Sequence, residues 1–107
     1  MWHYEVQNDR GGKPRWWLYA SNGKMVAYSG ESFDSTSNAK RAAENFKANA
    51  TRWNYDVYAD TGGNCRWRAK AGNGAIVASS GESFDSKSNA QRAADNVKDN
   101  AGSASGP

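Results

Sequence analysis

The sequence predicts an α+β fold built of two tandem β-β-β-α repeats with pseudo-two-fold symmetry. Three observations lead there. Shifted by 51 residues, the 107-residue chain lies on itself without a gap, Trp2–Ala50 on Trp53–Ala101, with about 30 of 49 positions identical. Within each copy the apolar period is two at first and then becomes helical, which separates strands from a helix. Each copy also carries an Asn-Gly pair, Asn22-Gly23 and Asn73-Gly74, between two apolar runs, the strongest short-range hairpin signal. Two copies make a symmetric pair; a solenoid needs three or more units.

The elements follow in order. "WHYEVQ" and its counterpart "WNYDVY" alternate as strands, with Trp2, Tyr4 and Val6 on one face. The Gly-rich turns "DRGGKP" and "DTGGNC" lead into second strands, "RWWLYA" and "RWRAKA". After the Asn-Gly turns, "KMVAYS" and "AIVASS" return as third strands and complete a meander. In "SNAKRAAENFKANA" the residues Ala39, Ala42, Ala43, Phe46 and Ala50 form one helical stripe, repeated by Ala90, Ala93, Ala94, Val97 and Ala101. Lys47 and Lys98 sit in the last turns, where cations suit the helix dipole. Repeat one therefore covers 2–50 and repeat two 53–101. The small polar stretch 102–107, "GSASGP", is expected to be a flexible tail.

The segment "GESFDS" occurs at Gly30–Ser35 and Gly81–Ser86, with Glu31, Asp34, Glu82 and Asp85 as paired carboxylates. Its place between strand and helix makes Asp34 or Ser35, and Asp85 or Ser86, the expected N-caps. Phe33 and Phe84 plug the junction. Carboxylate pairs also run acid–base chemistry, but neither a His nor a nucleophile–base pair accompanies these. The joint reading is preferred.

Apolar identity in both copies assigns Trp2, Tyr4, Val6, Trp16, Leu18 and Met25 inward, with Trp53, Tyr55, Val57, Trp67, Ala69 and Ile76 as their partners. The opposite face shows Arg15, Trp17 and Tyr19 along one middle strand, and Arg66, Arg68 and Lys70 along the other. Val26, Tyr28 and Tyr58 join from neighbouring strands. With both helices on one side, this half-aromatic, half-basic face stays uncovered. Trp, Tyr and Arg there suit a protein contact. Aromatics for stacking with cations for phosphates also suit single-stranded RNA or DNA.

Composition narrows the rest. Net charge is +3 with 12% aromatic and five Trp, an ordinary globular chain that permits nucleic-acid contact without arguing for it. One Cys, Cys65, and one His, His3, provide no disulfide and no Cys/His metal site. No apolar run approaches the roughly 20 residues of a membrane helix. The N-terminus lacks the basic and apolar regions of a secretory signal.

The string "CRWRAKAGNGAIVASSGESFDSKSNAQRAADNVKDNA" resembles the YegP-like family, small bacterial and archaeal proteins of unknown function. Trp67, Lys70, Asn73, Gly74, Ile76, Ala78, Ser79, Ser80, Ser86, Arg92, Val97, Lys98 and Asn100 carry it in repeat two. Repeat one departs at Trp17, Tyr19 and Tyr28, where repeat two has Arg68, Lys70 and Ser79. The resemblance spans nearly the whole chain. It implies one antiparallel sheet with two helices packed on one face, segments open to exchange between units, and a tandem chain that imitates a dimer as a monomer. It transfers no catalytic residue.

The expectation is a non-catalytic binding or interaction module of unknown role, with no cofactor, metal or membrane partner, acting in the cytoplasm. Its contact surface would be the free face: Arg15, Trp17, Tyr19, Tyr28, Tyr58, Arg66, Arg68 and Lys70. The alternatives are a single-stranded nucleic-acid platform and, more remotely, an enzyme using the Glu/Asp pairs of the two joints.

Overall fold

A computed structural model describes the whole chain, Met1–Pro107. Repeat one forms β1 (His3–Asn8), β2 (Pro14–Tyr19), β3 (Met25–Tyr28) and α1 (Thr36–Ala48). Repeat two forms β4 (Asn54–Ala59), β5 (Cys65–Lys70), β6 (Ile76–Ser80) and α2 (Lys87–Asn100), followed by a 3-10 turn at Ala101–Ser103. One six-stranded sheet holds all the strands in the order β1-β2-β3-β6-β5-β4, every pairing antiparallel. Each meander keeps its own strands. The repeats join at the centre, where Ala27 faces Ser80 and Tyr28 faces Ser79. No helix is long and apolar enough to cross a membrane.

Both helices lie on one face, over a single core. Their stripes of Ala39, Ala43, Ala90 and Ala94 are fully buried, and such small side chains let the helix backbones approach the sheet. The space between is filled by Tyr4, Trp16 and Leu18 from one repeat and Trp67 from the other, with Phe46 and Val97 supplied by the helices. Hydrogen bonds then tie each repeat to the other's helix end. The Tyr55 hydroxyl donates to the Ala50 carbonyl at 2.7 Å, and the Tyr4 hydroxyl to the Ala101 carbonyl at 2.9 Å. These carbonyls, just past the helices, would otherwise be orphaned.

The hairpin turns use three residues. Ala20 accepts from the Gly23 amide and donates to the Lys24 carbonyl, both at 2.9 Å, while Gly23 alone takes positive φ, +84°. The Asn22 carboxamide oxygen accepts from the Lys24 amide at 3.0 Å. That is a type I turn followed by a left-handed glycine, and Gly74, at φ +86°, repeats it.

Two expectations are corrected and one alternative is decided. First, the pairing slips between Leu18 and Tyr19 and again between Ala69 and Lys70, so Val26 and Val77 have no partner across the ladder. Such a bulge reverses the side-chain alternation beyond it. Met25 and Ile76 therefore pair with Tyr19 and Lys70 on the helix-free face, Ile76 being 42% exposed, while Val26 packs against the core. Second, the caps are Ser35 and Ser86, not Asp34 and Asp85. Each serine hydroxyl accepts a backbone N–H three residues on, Asn38 and Asn89, at 3.1 Å. Third, 102–107 is docked. Ala104 is buried, Ser105 exchanges backbone hydrogen bonds with Trp2 and Tyr4, and Lys47 donates to the Gly106 carbonyl at 2.9 Å. One small apolar side chain between polar neighbours suffices to anchor the segment along β1.

Ser35→Ala and Ser86→Ala should each lower stability by about 1 kcal/mol. Urea unfolding of the single and double variants checks this. The two losses should add, since the caps belong to different helices.

Candidate functional site

Strand alternation sets Arg15, Trp17 and Tyr19 opposite the buried Trp16 and Leu18, and Arg66, Arg68 and Lys70 opposite the buried Trp67 and Ala69. Cross-strand register extends this surface over the whole sheet. One row runs Glu5, Trp17, Tyr28, Ser79, Arg68, Asp56, each residue facing the next on the adjoining strand. A second pairing sets Tyr58 against Arg66 and Gln7 against Arg15. All eight residues singled out from the sequence thus share the helix-free face. Val26 does not, because of the bulge.

The row is symmetric in position and not in chemistry. Glu5 and Asp56 are counterparts in the two repeats, as are Trp17 and Arg68, and Tyr28 and Ser79. One half is therefore aromatic and the other ionic. On the aromatic half an open trough of about 710 Å³ is lined by Trp17, Tyr19, Met25 and Tyr28, with Arg15 and Arg66 beside them. His3 stacks on Tyr19 with ring centroids 5.2 Å apart, and its Nε2 lies 2.8 Å from Glu5. Burial raises the Tyr19 phenol above its ordinary range, with the Glu5 carboxylate adding to it.

Each of the four strand cations on the face has a carboxylate partner, while Arg10 at the edge of the trough has none. The Arg15 Nε donates to Asp9 at 2.8 Å, the Arg66 Nε to Asp60 at 3.0 Å and the Arg68 Nε to Asp56 at 3.3 Å, while the Lys70 Nζ lies 3.7 Å from Asp56. The guanidinium of Arg68 sits 4.3 Å over the Tyr58 ring, and that of Arg15 sits 6.0 Å from Tyr28. Asp9 and Asp60 occupy equivalent turns, where each also accepts two backbone N–H bonds. The arginine hydrogen bond, followed by these amides, holds both carboxyls below the usual carboxylate range. Arg15, Arg66, Arg68 and Lys70 are thus matched in number by Glu5, Asp9, Asp56 and Asp60. The face is aromatic and charge-balanced rather than basic.

Sequence reasoning missed those four carboxylates. For Asp9 and Asp60 the signal was present in the i, i+6 spacing to Arg15 and Arg66, repeated in both copies. Such a spacing closes only when the turn folds back on the strand.

The two joints lie elsewhere. β3 and β6 are antiparallel neighbours, so the chain leaves them at opposite ends, and Glu31 with Asp34 is separated from Glu82 with Asp85. Glu82 pairs with Lys24 at 3.5 Å, and the Glu31 carbonyl accepts from the Ser29 hydroxyl at 2.6 Å. The single thiol, Cys65, is free and half-buried at the start of β5. No group of three His, Cys, Asp or Glu side chains with metal-holding geometry is formed.

The family described as a domain of unknown function, DUF1508, matches twice, over residues 9–55 and 60–105. Each match takes in its helix and the segment after it, which in the second copy is the docked Ala104–Ser105. Two solved structures are similar. The UPF0339 protein SO3888 from Shewanella oneidensis is 21% identical, with a TM-score of 0.76 over 94% of this chain and 85% of that one. The protein of unknown function YegP from E. coli is 22% identical, with a TM-score of 0.80 over 97% of this chain and 89% of that one. At that identity the likeness shows the fold. No curated protein matches the chain.

Proposed function

The chain belongs to the DUF1508 family of domains of unknown function, and from that premise we propose that it is a non-catalytic binding module whose helix-free sheet face receives a protein partner. The row from Glu5 through Trp17, Tyr28 and Arg68 to Asp56 carries this reading. It offers rigid aromatic surface on one half and paired charges on the other. Trp, Tyr and Arg supply most of the binding energy at protein interfaces, and paired rim charges give orientation more than affinity. The second repeat takes the place of a second subunit, so the chain acts as a monomer. Its compartment is the cytoplasm, consistent with one free thiol.

A second reading is favoured by the open trough, where Trp17, Tyr19 and Tyr28 present rings beside Arg15 and Arg66. There the surface would stack single-stranded nucleic acid. The balance of charge argues against it, because such binding draws on unpaired cations and is strongly salt-dependent.

Trp17→Ala decides between them. Trp17 is half-buried on the outer face, so the variant should keep its fold while losing the partner captured by the wild-type chain in a pull-down. Labelled single-stranded RNA and DNA, followed by anisotropy at low and high salt, should show no salt-sensitive binding. Tight, salt-sensitive binding that Trp17→Ala removes would replace the protein-contact reading with the nucleic-acid one. A pull-down unaffected by either Trp17→Ala or Arg68→Ala would remove the face from consideration.

A further inference from the structure

Phe46 and Val97 hold the same place in their repeats, and the packing differs by one ring. In repeat one the Phe46 phenyl lies stacked between Trp16, at a centroid distance of 5.0 Å, and Trp53, at 6.3 Å. The Trp53 indole N–H donates to the Phe46 carbonyl at 3.1 Å, fixing that wall. In repeat two the shorter Val97 leaves a cavity of about 80 Å³, lined by Trp2, Val26, Phe84, Ala93 and Val97. Their counterparts are Trp53 and Val77 from repeat two with Phe33, Ala42 and Phe46 from repeat one, and both sets pack against the core. Trp2 repeats the wall that Trp53 makes beside Phe46, Trp67 is not part of the lining, and a valine stands where repeat one has the phenyl.

We propose that this cavity binds a single-ring aromatic molecule, the ring lying against Trp2 as the Phe46 phenyl of repeat one lies against Trp53. The chain thus displays its occupant's shape in its own other half. Apolar walls with nothing between them forfeit dispersion contacts, which a flat ring restores. An engineered apolar cavity of about 150 Å³ stays dry and takes up benzene. The present one is smaller and partly open, and exposed Glu82 and Asn96 complete its lining. A ring therefore enters edge-first with one polar substituent left among Glu82, Asn96 and water, the arrangement of a phenol or a benzylic amine. The cavity lies on the helix side of the sheet, so this inference is independent of the contact proposed for the opposite face.

Phenol is a suitable probe, titrated into the full chain while backbone amide and indole resonances are followed by NMR. Saturable shifts are expected at Trp2, Phe84, Ala93 and Val97. Val97→Phe, which places the phenyl covalently, should abolish them and raise the urea midpoint. If Val97→Phe does not fold, Val97→Leu partly fills the same space and should weaken phenol binding. Shifts that never saturate, that survive in the filled variant, or that fall instead on Trp17 and Tyr28 would overturn the proposal.

Discussion

Trp16→Ala should remove a large part of the stability of the domain, about 3–5 kcal/mol out of a total that for such domains is roughly 5–15 kcal/mol. Trp16 is 1% exposed. It stands in a run of rings from Tyr4, edge-on at 5.9 Å, through Phe46 to Trp53. That run links β1, β2, α1 and the approach to β4, so the loss is not confined to one strand. The neighbouring alanine stripe already sits against the sheet and has little room to collapse into the gap. Urea unfolding with far-ultraviolet circular dichroism measures the loss. The counterpart Trp67→Ala gives an internal control. Trp67 is equally buried, but it packs against one ring, Tyr55 at 5.7 Å, where Trp16 packs against both Tyr4 and Phe46, and its indole N–H has no hydrogen-bond partner. Its removal should fall at the lower end of the same range. Equal losses at the two positions would contradict the role given to the Phe46 ring.

The second large effect is on the alkaline side. Burial, the dominant cause, drives the Tyr4 phenol far above its ordinary value near 10, and proximity to Tyr55 adds to this; burial does the same to the Tyr55 phenol. Both hydroxyls donate to helix-end carbonyls, a role the phenolate cannot fill. The sign follows from linkage. The unfolded chain releases these protons near pH 10 and the folded chain retains them, so the stability they contribute is complete below pH 10 and declines as pH rises above it. The slope should lie between one proton and two: Tyr4 is almost fully buried, whereas water partly screens Tyr55. Urea midpoints measured from neutral pH to about pH 11 should fall only in the upper part of that range. Tyr4→Phe should flatten the fall while lowering stability at neutral pH, because it leaves the Ala101 carbonyl unpaired. A midpoint that stays level up to about pH 11 would show that these phenols ionise as readily in the folded chain as in the unfolded one.

Much of the architecture was legible in the sequence because each unit is written twice. A period of two that persists in both copies marks a strand face, and an alanine stripe that persists marks a helix laid against it. What was not legible depends on single residues whose effect is geometric. Val26 and Val77 look like ordinary members of alternating strands, and nothing in their chemistry announces a bulge. Yet the bulge moved Met25 and Ile76 to the outer face. Asp34 and Ser35 are both good caps by composition, and backbone geometry selected the serine. The tail "GSASGP" has the composition of a loose end, and the buried Ala104 with the Ser105 backbone bonds to β1 gives it a place to dock. At the candidate site, the aromatic and basic side chains were read from strand parity. The carboxylates that neutralise the cations come from turns and from a neighbouring strand, so their approach is a product of folding. The 80 Å³ cavity is bordered by Val97, one of the few core positions at which the repeats differ, Phe46 against Val97.

The two matched hydrogen bonds, Tyr55 to Ala50 and Tyr4 to Ala101, carry one last consequence. The first spans a junction that is covalent, Ala50 through Thr51 and Arg52 to Trp53. The second spans the equivalent place between the end of repeat two and the start of repeat one, where Ser105 pairs with Trp2 and Tyr4 along β1. The two repeats thus meet twice, and the two meetings are matched in their hydrogen bonds. A cyclic permutant opened at Thr51 and joined from the tail back to Met1 would present the same sheet, the same helices and the same outer face, with the order of the two halves exchanged.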